Sequence, residues 1–309
     1  MKELVVISGK GGTGKTSIVA SFAALAGNAV LADCDVDAAD LHLVLEPEIQ
    51  RREPFSGGKR ARLDPGLCRG CGKCSELCRF GAVLADRPHE PPGGRIYRID
   101  PIACEGCGVC AWFCPEQAIV LEQAINGEWF VSDTRHGPMV HAKLGIAEEN
   151  SGKLVSTVRQ EARRIAQALK RDLILIDGSP GIGCPVIASI TGASLILVVT
   201  EPTVSGLHDL NRVTDLAKHF AVPAMVCVNK WDLNPEVAMM TETHALRRGL
   251  RVAGRIRYDR GVTQAQVARK SVVEYQRNGC AEDIRSAWEA VRRELDRSPD
   301  VSGGERRGS

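Results

Sequence analysis

Residues 9–17 read Gly9-Lys10-Gly11-Gly12-Thr13-Gly14-Lys15-Thr16-Ser17, and the rest of the sequence is best understood outward from this glycine-rich loop. The loop fits the pattern G-x-x-x-x-G-K-[ST], in which glycine N–H groups converge on phosphate oxygens at the start of a helix. Residues 3–7 predict a strand, and a helix is predicted to begin near Lys15. We expect Lys15 to reach the β- and γ-phosphates and the Thr16 hydroxyl to ligate Mg²⁺. The segment therefore predicts a nucleoside triphosphate site.

Apolar runs that alternate with helical segments follow the loop. Residues 173–176, 195–199 and 224–228 are almost entirely apolar, which is typical of strands buried on both faces of a parallel sheet. We therefore expect an α/β fold with a doubly wound, mostly parallel sheet. Asp177 closes one such run, as a Mg²⁺-site carboxylate of this fold should. Three acids, Asp33, Asp35 and Asp37, end the strand near 29–33. One of them is expected to orient water or Mg²⁺.

Eight of the twelve cysteines form two copies of one pattern. The copies are Cys68-x2-Cys71-x2-Cys74-x3-Cys78 and Cys104-x2-Cys107-x2-Cys110-x3-Cys114, the spacing of bacterial two-cluster ferredoxins. Because the fourth cysteine of each run usually serves the other cluster, one predicted [4Fe–4S] site is Cys68, Cys71, Cys74 and Cys114. The second is Cys78, Cys104, Cys107 and Cys110. Zinc is the competing metal, but the doubled three-cysteine runs favour iron–sulfur clusters.

The cysteine runs lie in a stretch that interrupts the α/β pattern. Residues 46–126 are rich in Pro, Gly, Arg and Cys and predict an inserted α+β, two-cluster ferredoxin-like domain. Residues 1–45 and 127–298 would then form a discontinuous nucleotide-binding domain, with a disordered tail over 299–309. Residues 129–131 and 139–141 are short strand candidates whose pairing the sequence leaves open.

Bulk composition excludes several functional classes. The formal net charge is +2, so no strong field indicates nucleic acid as a partner. No apolar run approaches the ~20 residues of a membrane span, which argues against stable membrane insertion. Residues 1–8 predict a strand and not an export signal, so we expect a cytoplasmic protein. A local basic stretch contains Arg51, Arg52, Lys59, Arg60 and Arg62, and it predicts either a solvated loop or a docking patch for an acidic redox partner.

The second lysine of the loop, Lys10, narrows the interpretation. With Lys10 and Lys15, the loop resembles the deviant Walker A sequence of the MinD/Mrp ATPases, a group that includes ParA-type proteins and the nitrogenase iron protein. The resemblance extends over residues 2–290 and includes Asp33-Cys34-Asp35, Asp177-Gly178-Ser179-Pro180-Gly181 and Val228-Asn229-Lys230. Within that group, the chain resembles the branch that carries an inserted ferredoxin domain.

The resemblance implies a dimer, formed with a second copy or with a sibling ATPase, in which nucleotide is held between subunits. Lys10 would reach the partner's phosphates, Asp35 would orient the attacking water, and Asp177 would couple phosphate loss to a switch. Asn229 would contact the base. The sequence Asn229-Lys230-Trp231-Asp232 also reads as the N-K-x-D motif of GTPases, but relatives of this kind favour ATP.

Three functions remain open at this point. The first is an ATPase, slow alone and stimulated by a partner, whose nucleotide state gates electron transfer through two [4Fe–4S] clusters to a redox protein. The second is an assembly or carrier ATPase for iron–sulfur or other metal cofactors, with a metal-client protein as partner. The third is a positioning ATPase with structural clusters. Cys184, in Gly183-Cys184-Pro185, is either a small packing residue or a metal or thiol-exchange site on a dimer axis.

Overall fold

The computed structural model describes residues 1–88, 95–145 and 151–298, and it divides into two compact units. The first unit comprises residues 1–53, 129–143 and the chain from 151 onward, and the second comprises residues 54–128 with the segment that begins at 144. The expected tail over 299–309 lies outside the described residues.

The strands are, in chain order, β1 (Lys2–Ser8), β2 (Ala29–Asp33), β3 (Glu48–Phe55), β4 (Gly58–Leu63), β5 (Val83–Pro88), β6 (Arg95–Ile99), β7 (Ile119–Ala124), β8 (Gly127–Thr134), β9 (Gly137–Leu144), β10 (Leu173–Pro180), β11 (Leu195–Thr200), β12 (Ala224–Asn229) and β13 (Arg251–Ile256). The helices are α1 (Lys15–Ala26), α2 (Leu41–Leu45), α3 (Lys73–Leu77), α4 (Val109–Trp112), α5 (Ser151–Ala168), α6 (Cys184–Ile190), α7 (Val204–His219), α8 (Pro235–Arg247), α9 (Gly261–Val267), α10 (Val272–Tyr275) and α11 (Cys280–Arg297), with a 3₁₀ turn over Trp231–Leu233.

Nine strands form one sheet in the order β13-β12-β11-β1-β10-β2-β9-β8-β3. Every adjacent pair from β13 to β9 is parallel. The apolar runs at 195–199 and 4–7 are buried throughout, because helices cover both faces of a parallel sheet. The mostly parallel α/β sheet expected from the sequence is confirmed. Its register sets Val6 opposite Asp177 and Asp177 opposite Asp33, so the acidic strand ends meet beside the glycine-rich loop.

One face of α11 supplies much of the core on the α1 side of the sheet. The apolar series Ile284, Trp288, Val291 and Leu295, which the sequence predicts as one helix face, is buried as a set. The Trp288 ring packs against Phe22 of α1, with 4.9 Å between ring centroids. The helical period of the sequence was therefore sufficient to identify this contact face.

The structure differs from the sequence expectation at the end of one strand, and it supplies strand pairing that the sequence left open. Strand β10 does not stop at Asp177 but continues to Pro180, since Gly178 lets it approach β1: a Cβ there would lie 2.6 Å from Ile7 Cγ2. The strand candidates near 130 and 140 are β8 and β9, and they extend the main sheet with β3. The first unit includes β3 up to residue 53, whereas the sequence places the start of the insertion at 46.

The basic stretch is not a loop. Arg51 and Arg52 lie on β3, where their guanidinium groups stack over Trp129 and Phe130 at 4.8 and 5.2 Å from the ring centroids. Arg60 and Arg62 lie on β4, in the second unit. The stretch is thus divided between two strands with different environments.

The second unit contains two antiparallel strand pairs, β4 with β7 and β5 with β6. The internal sequence repeat is repeated in the backbone. Helix α3 follows Gly72 and α4 follows Gly108, and both glycines have φ +81°, which favours residues without a side chain. The turns before the cysteine runs match as well: Asp64 accepts the Gly66 N–H at 2.8 Å, and Asp100 accepts the Ile102 N–H at 2.9 Å.

In the described parts of the chain, no helix combines the length and apolar character needed to cross a bilayer.

Candidate nucleotide site and cysteine cavity

The glycine-rich loop connects the end of β1 to the first turn of α1. Gly12 and Gly14 have φ of +78° and +85°, and Gly14 caps α1, so side chains are disfavoured at both positions. A Cβ at Gly9 would lie 2.2 Å from Asp209 Cβ. The loop is therefore shaped by glycine at its turns and at its contact with α7, which leaves its backbone N–H groups near the start of a helix.

Lys15 lies between two of the predicted acids. Its Nζ is 2.5 Å from Asp177 Oδ1 and 3.4 Å from Asp35 Oδ2, and the side chain is buried. Burial alone would lower the pKa of Lys15, but the charges of Asp177 and Asp35 outweigh it and the pKa is raised. Lys15 is therefore held as a cation, which is the state that binds phosphate.

Asp33 and Asp35 differ in their surroundings. Asp33 is fully buried, and burial together with the charge of Asp177 raises the pKa of its carboxyl well above the ordinary value. Its Oδ1 accepts the Asp35 N–H at 3.1 Å. Burial also raises the pKa of Asp35, although Lys15 opposes the shift. Of these two acids, the structure brings Asp35 directly to Lys15.

Three buried oxygens beside the loop have no hydrogen-bond partner among the described residues: Thr13 Oγ1, Asp33 Oδ2 and Asp177 Oδ2. Unpaired buried polar atoms are costly, and a cluster of them indicates a place for a polar ligand. Thr16 and Ser17 lie in the first turn of α1 and are half-buried. The Ser17 hydroxyl accepts a hydrogen bond from Gln266 Nε2 at 3.1 Å. The unpaired oxygens of Thr13, Asp33 and Asp177, with the Thr16 hydroxyl, are therefore the candidate contacts for a polar ligand at the loop.

Asn229, expected to contact a base, lies against the loop itself. Its Nδ2 donates to the Thr13 carbonyl at 2.7 Å, and its Oδ1 accepts the Lys230 N–H at 3.0 Å. The 3₁₀ turn that follows places Asp232 Oδ1 as acceptor of the Tyr258 N–H at 2.6 Å. Asn229 thus supports the loop from the end of β12, while Asp232 serves the local backbone.

Glu201 is a site residue that the sequence reasoning missed. Its carboxylate lies 3.2 Å from Lys10 Nζ and 2.5 Å from Lys230 Nζ. Burial would raise its pKa, but the two lysines lower it, so Glu201 is an anion between two cations. The sequence could have indicated Glu201, because this residue directly follows β11. The ends of the parallel strands already carried Asp35 and Asp177 as predicted site residues.

Four cysteines of the second unit line one small cavity. They are Cys78, Cys104, Cys107 and Cys110, which is the set that the sequence assigned to one cluster. Burial raises the pKa of Cys110, and the neighbouring Cys104 and Cys107 thiols add to the shift. The fold therefore brings Cys78 together with three cysteines that lie 26 or more positions later in the chain.

The other predicted set is Cys68, Cys71, Cys74 and Cys114. Burial raises the pKa of Cys74, with smaller contributions from Cys68 and Cys71. Cys74 lies in the small apolar core of this unit, against which Cys114 also packs. The Cys114 Sγ accepts the Ala118 N–H at 3.3 Å. Nevertheless, within residues 1–88, 95–145 and 151–298, no three His, Cys, Asp or Glu side chains lie close enough together to hold a single metal ion.

All twelve cysteines, each within the described residues, are free thiols. Cys34 and Cys227 are buried, and burial raises the pKa of both, that of Cys227 to about 12. Both are inert packing residues by this criterion. Cys184 is exposed at the first position of α6, close to Gly152, where a Cβ would lie 3.2 Å from Cys184 Cβ. Cys184 therefore belongs to the first unit and lies far along the chain from both cysteine runs, which belong to the second unit.

Comparison with known proteins identifies related sequences and folds. A family model described as the CobQ/CobB/MinD/ParA nucleotide binding domain matches residues 4–272. An uncharacterized protein of Methanocaldococcus jannaschii, MJ0578, is 34% identical over 235 residues, which is 75% of this chain and 79% of that protein. A second uncharacterized protein of that organism, MJ0579, is 22% identical over 76% of this chain and 83% of its own length.

Among solved structures, the septum site-determining protein MinD of Pyrococcus horikoshii in complex with Mg-ADP is similar in fold. Its TM-score is 0.56 at 17% identity, with 94% of this chain and 95% of that chain covered. MinD in the MinC:MinD complex of Aquifex aeolicus has a TM-score of 0.56 at 17% identity and covers 94% and 96%. At such identities the likeness concerns the fold.

Proposed function

The chain belongs to the CobQ/CobB/MinD/ParA nucleotide-binding domain family, and on that premise we propose that it is an ATPase whose nucleotide state gates electron transfer through two [4Fe–4S] clusters. The observation that carries the proposal is the cavity lined by Cys78, Cys104, Cys107 and Cys110 in a chain that also holds Lys15 between Asp35 and Asp177. The first arrangement provides thiolate ligands, and the second provides a phosphate site.

The nucleotide half of the proposal assigns a role to each residue of the loop. Backbone N–H groups of Gly9, Gly11, Gly12, Thr13 and Gly14 would contact phosphate oxygens, with Thr16 and Ser17 completing the first helical turn. Lys15 would exchange its contact with Asp177 for the β- and γ-phosphates, and the Thr16 hydroxyl would hold Mg²⁺. Asp35 would then be free to orient water. Loss of the Lys15 contact would let Asp177 move, and this movement would couple phosphate binding to residues 178–180 at the end of the strand.

ATP is favoured over GTP by the contacts of the N-K-x-D sequence. Asp232 Oδ1 already accepts the Tyr258 N–H at 2.6 Å, so this carboxylate serves the local backbone. Guanine recognition by this motif would need the Asp232 carboxylate to face the base. We therefore expect tighter binding of MgATP than of MgGTP, measured by competition for one fluorescent nucleotide.

The cluster half depends on the donor set. Eight thiols in two runs of matched backbone geometry, with four of them around one cavity, suit two iron–sulfur clusters better than single zinc ions. The clusters would supply one-electron storage. The chain's own contribution is to present the thiolates and to surround them with the apolar core that contains Cys74.

The position of Lys10 supports a dimer. The side chain is 36% exposed and extends from the loop toward Glu201, so its cation lies at the surface beside the phosphate site. In a second copy, or a sibling ATPase, such a lysine would complete the partner's site. A redox protein would then respond to the dimeric, nucleotide-bound state.

The test is an EPR titration of the anaerobically purified protein against potential, with and without MgATP. We expect about eight iron and eight sulfide per chain, and a nucleotide-dependent change in potential or line shape. The Lys15→Ala variant is the matched control, because it retains the cysteines and loses the phosphate ligand. If the potential and line shape of the parent protein do not change with MgATP, gating is contradicted. If the protein contains zinc in place of iron, the iron–sulfur clusters are contradicted.

Cofactor assembly or delivery is the second candidate function, and one observation favours it. Cys184 is exposed at the start of α6, four residues after the end of β10, so it is accessible for metal or thiol exchange. The Cys184→Ser variant separates the two functions. Loss of metal transfer to an apo acceptor, with EPR signals unchanged, would favour delivery; unchanged metal transfer would remove this candidate.

A further inference from the structure

A basic groove lies on the second unit and shares lining residues with the cysteine cavity. We define it by Arg60, Arg62, Tyr97, Arg98, Ala61 and Ile99, which line a hollow of about 610 Å³. Ala61 and Ile99 belong to both the groove and the cavity of Cys78, Cys104, Cys107 and Cys110. The groove and the cysteine cavity are therefore adjacent in this unit.

The groove also adjoins the first cysteine run. Tyr97 lines the groove, and its hydroxyl oxygen would lie 2.8 Å from a Cβ at Gly72, which stands between Cys71 and Cys74. A molecule seated in the groove would thus lie close to both cysteine runs.

The charge of the groove defines the partner's chemistry. Among the described residues, its charged lining consists of three arginines and one glutamate, Glu122. Glu122 pairs with Arg62 at 2.6 Å, but both side chains are more than half exposed, and such a pair contributes little to stability. The floor is apolar and includes Pro65, Pro101 and the exposed Ile125. Arginines around an apolar floor are typical of protein interfaces, and their sign selects an acidic surface.

We propose that this groove docks an acidic electron-carrier protein. The inference rests on the proposed electron-transfer function for its choice of partner. On docking, one electron passes from the dithionite-reduced chain to the oxidised flavin of the carrier, so the chain loses one electron and the carrier gains it. The arginines steer and orient the carrier, while the apolar floor excludes water from the contact.

The test measures binding of an acidic flavodoxin to the full-length, cluster-loaded protein by calorimetry at low and high salt. The double variant Arg60→Glu/Arg98→Glu should weaken the Kd by about tenfold or more at low salt. The neutral pair Arg60→Gln/Arg98→Gln should weaken it less, and it guards against a misfolded double variant. Arg293→Glu, an exposed arginine of α11 in the other unit, is the matched control and should leave the Kd unchanged.

A second readout separates this inference from the proposed function. The rate of electron transfer to a small neutral quinone should be the same in the parent and in every variant. If flavodoxin affinity changes neither with salt nor with charge reversal, the groove is not the docking site, and the redox proposal still stands. Charge-dependent binding in a protein that reduces neither flavodoxin nor quinone would overturn the redox function. Charge-dependent binding of an RNA oligonucleotide without flavodoxin binding would overturn the inference.

Discussion

Lys10 Nζ lies 3.2 Å from the carboxylate of Glu201, and that same carboxylate holds Lys230 Nζ at 2.5 Å. Lys230 in turn donates to the Gly12 carbonyl at 3.1 Å. One acid therefore connects the loop lysine, the end of β12 and the backbone of the loop. For Lys10 to serve a neighbouring subunit, it must leave Glu201.

Replacement of this acid should change nucleotide affinity. Glu201→Gln removes a negative charge beside the phosphate site and releases Lys10 and Lys230, so we expect MgATP to bind more tightly by about 1 kcal/mol, or about fivefold in Kd. The measurement is displacement of a fluorescent ATP analogue. Glu289→Gln on the exposed side of α11 is the control. Equal or weaker binding by Glu201→Gln would show that Glu201 does not restrain the lysines.

The buried contact between Lys15 and Asp177 should be a source of stability in the nucleotide-free chain. Lys15→Met leaves acids buried without their cation, and we expect the free energy of unfolding to fall by about 3 kcal/mol. The double variant Lys15→Met/Asp177→Asn should recover part of that loss, because the remaining side chains are neutral or nearly so. Urea unfolding of the three proteins checks this coupling, and strictly additive losses would argue against it.

Gly106 and Gly81 form a matched pair in the cysteine unit. Both have φ +63°, but a Cβ at Gly106 would lie 1.9 Å from the Lys59 carbonyl oxygen, whereas none of the described atoms lies within 4 Å of a Cβ at Gly81. Gly106→Ala should therefore displace β4 from the second cysteine run and lower the iron content. Gly81→Ala should cost only about 1 kcal/mol of backbone strain. Iron analysis and thermal unfolding distinguish the two, and equal effects would contradict the packing argument.

His141 should make the stability of the first unit depend on pH. Burial, with a smaller effect from His42, lowers the pKa of His141 to about 4, and its Nε2 lies 2.9 Å from Ser132 Oγ. Since the unfolded side chain titrates near ~6.5, the unfolded state binds the proton first as pH falls, and stability is lost below that value. We expect a loss of about 1 kcal/mol between about pH 7.5 and about pH 5.5.

The variant His141→Gln should flatten this part of the pH profile, as followed by urea unfolding at each pH. His219→Gln on the exposed surface is the control and should retain the parent slope. A slope that persists in His141→Gln would assign the pH dependence to other groups.

The sequence by itself determined the features that depend on the spacing of residues close together in the chain. The loop over residues 9–17, the apolar strands that alternate with helices, the face of α11 and the two cysteine runs all follow from residues near one another in the chain. Backbone propensity and periodicity act over a few residues, so such features can be read without a fold.

Only the tertiary structure decided which distant residues meet. It joined β3, β8 and β9 to the main sheet, placed Glu201 between Lys10 and Lys230, and set Ala61 and Ile99 between the cysteine cavity and the basic groove. These contacts join positions that lie tens to hundreds of residues apart along the chain. Their pairing depends on the register of the sheet and on the packing of whole elements, and no local pattern encodes either.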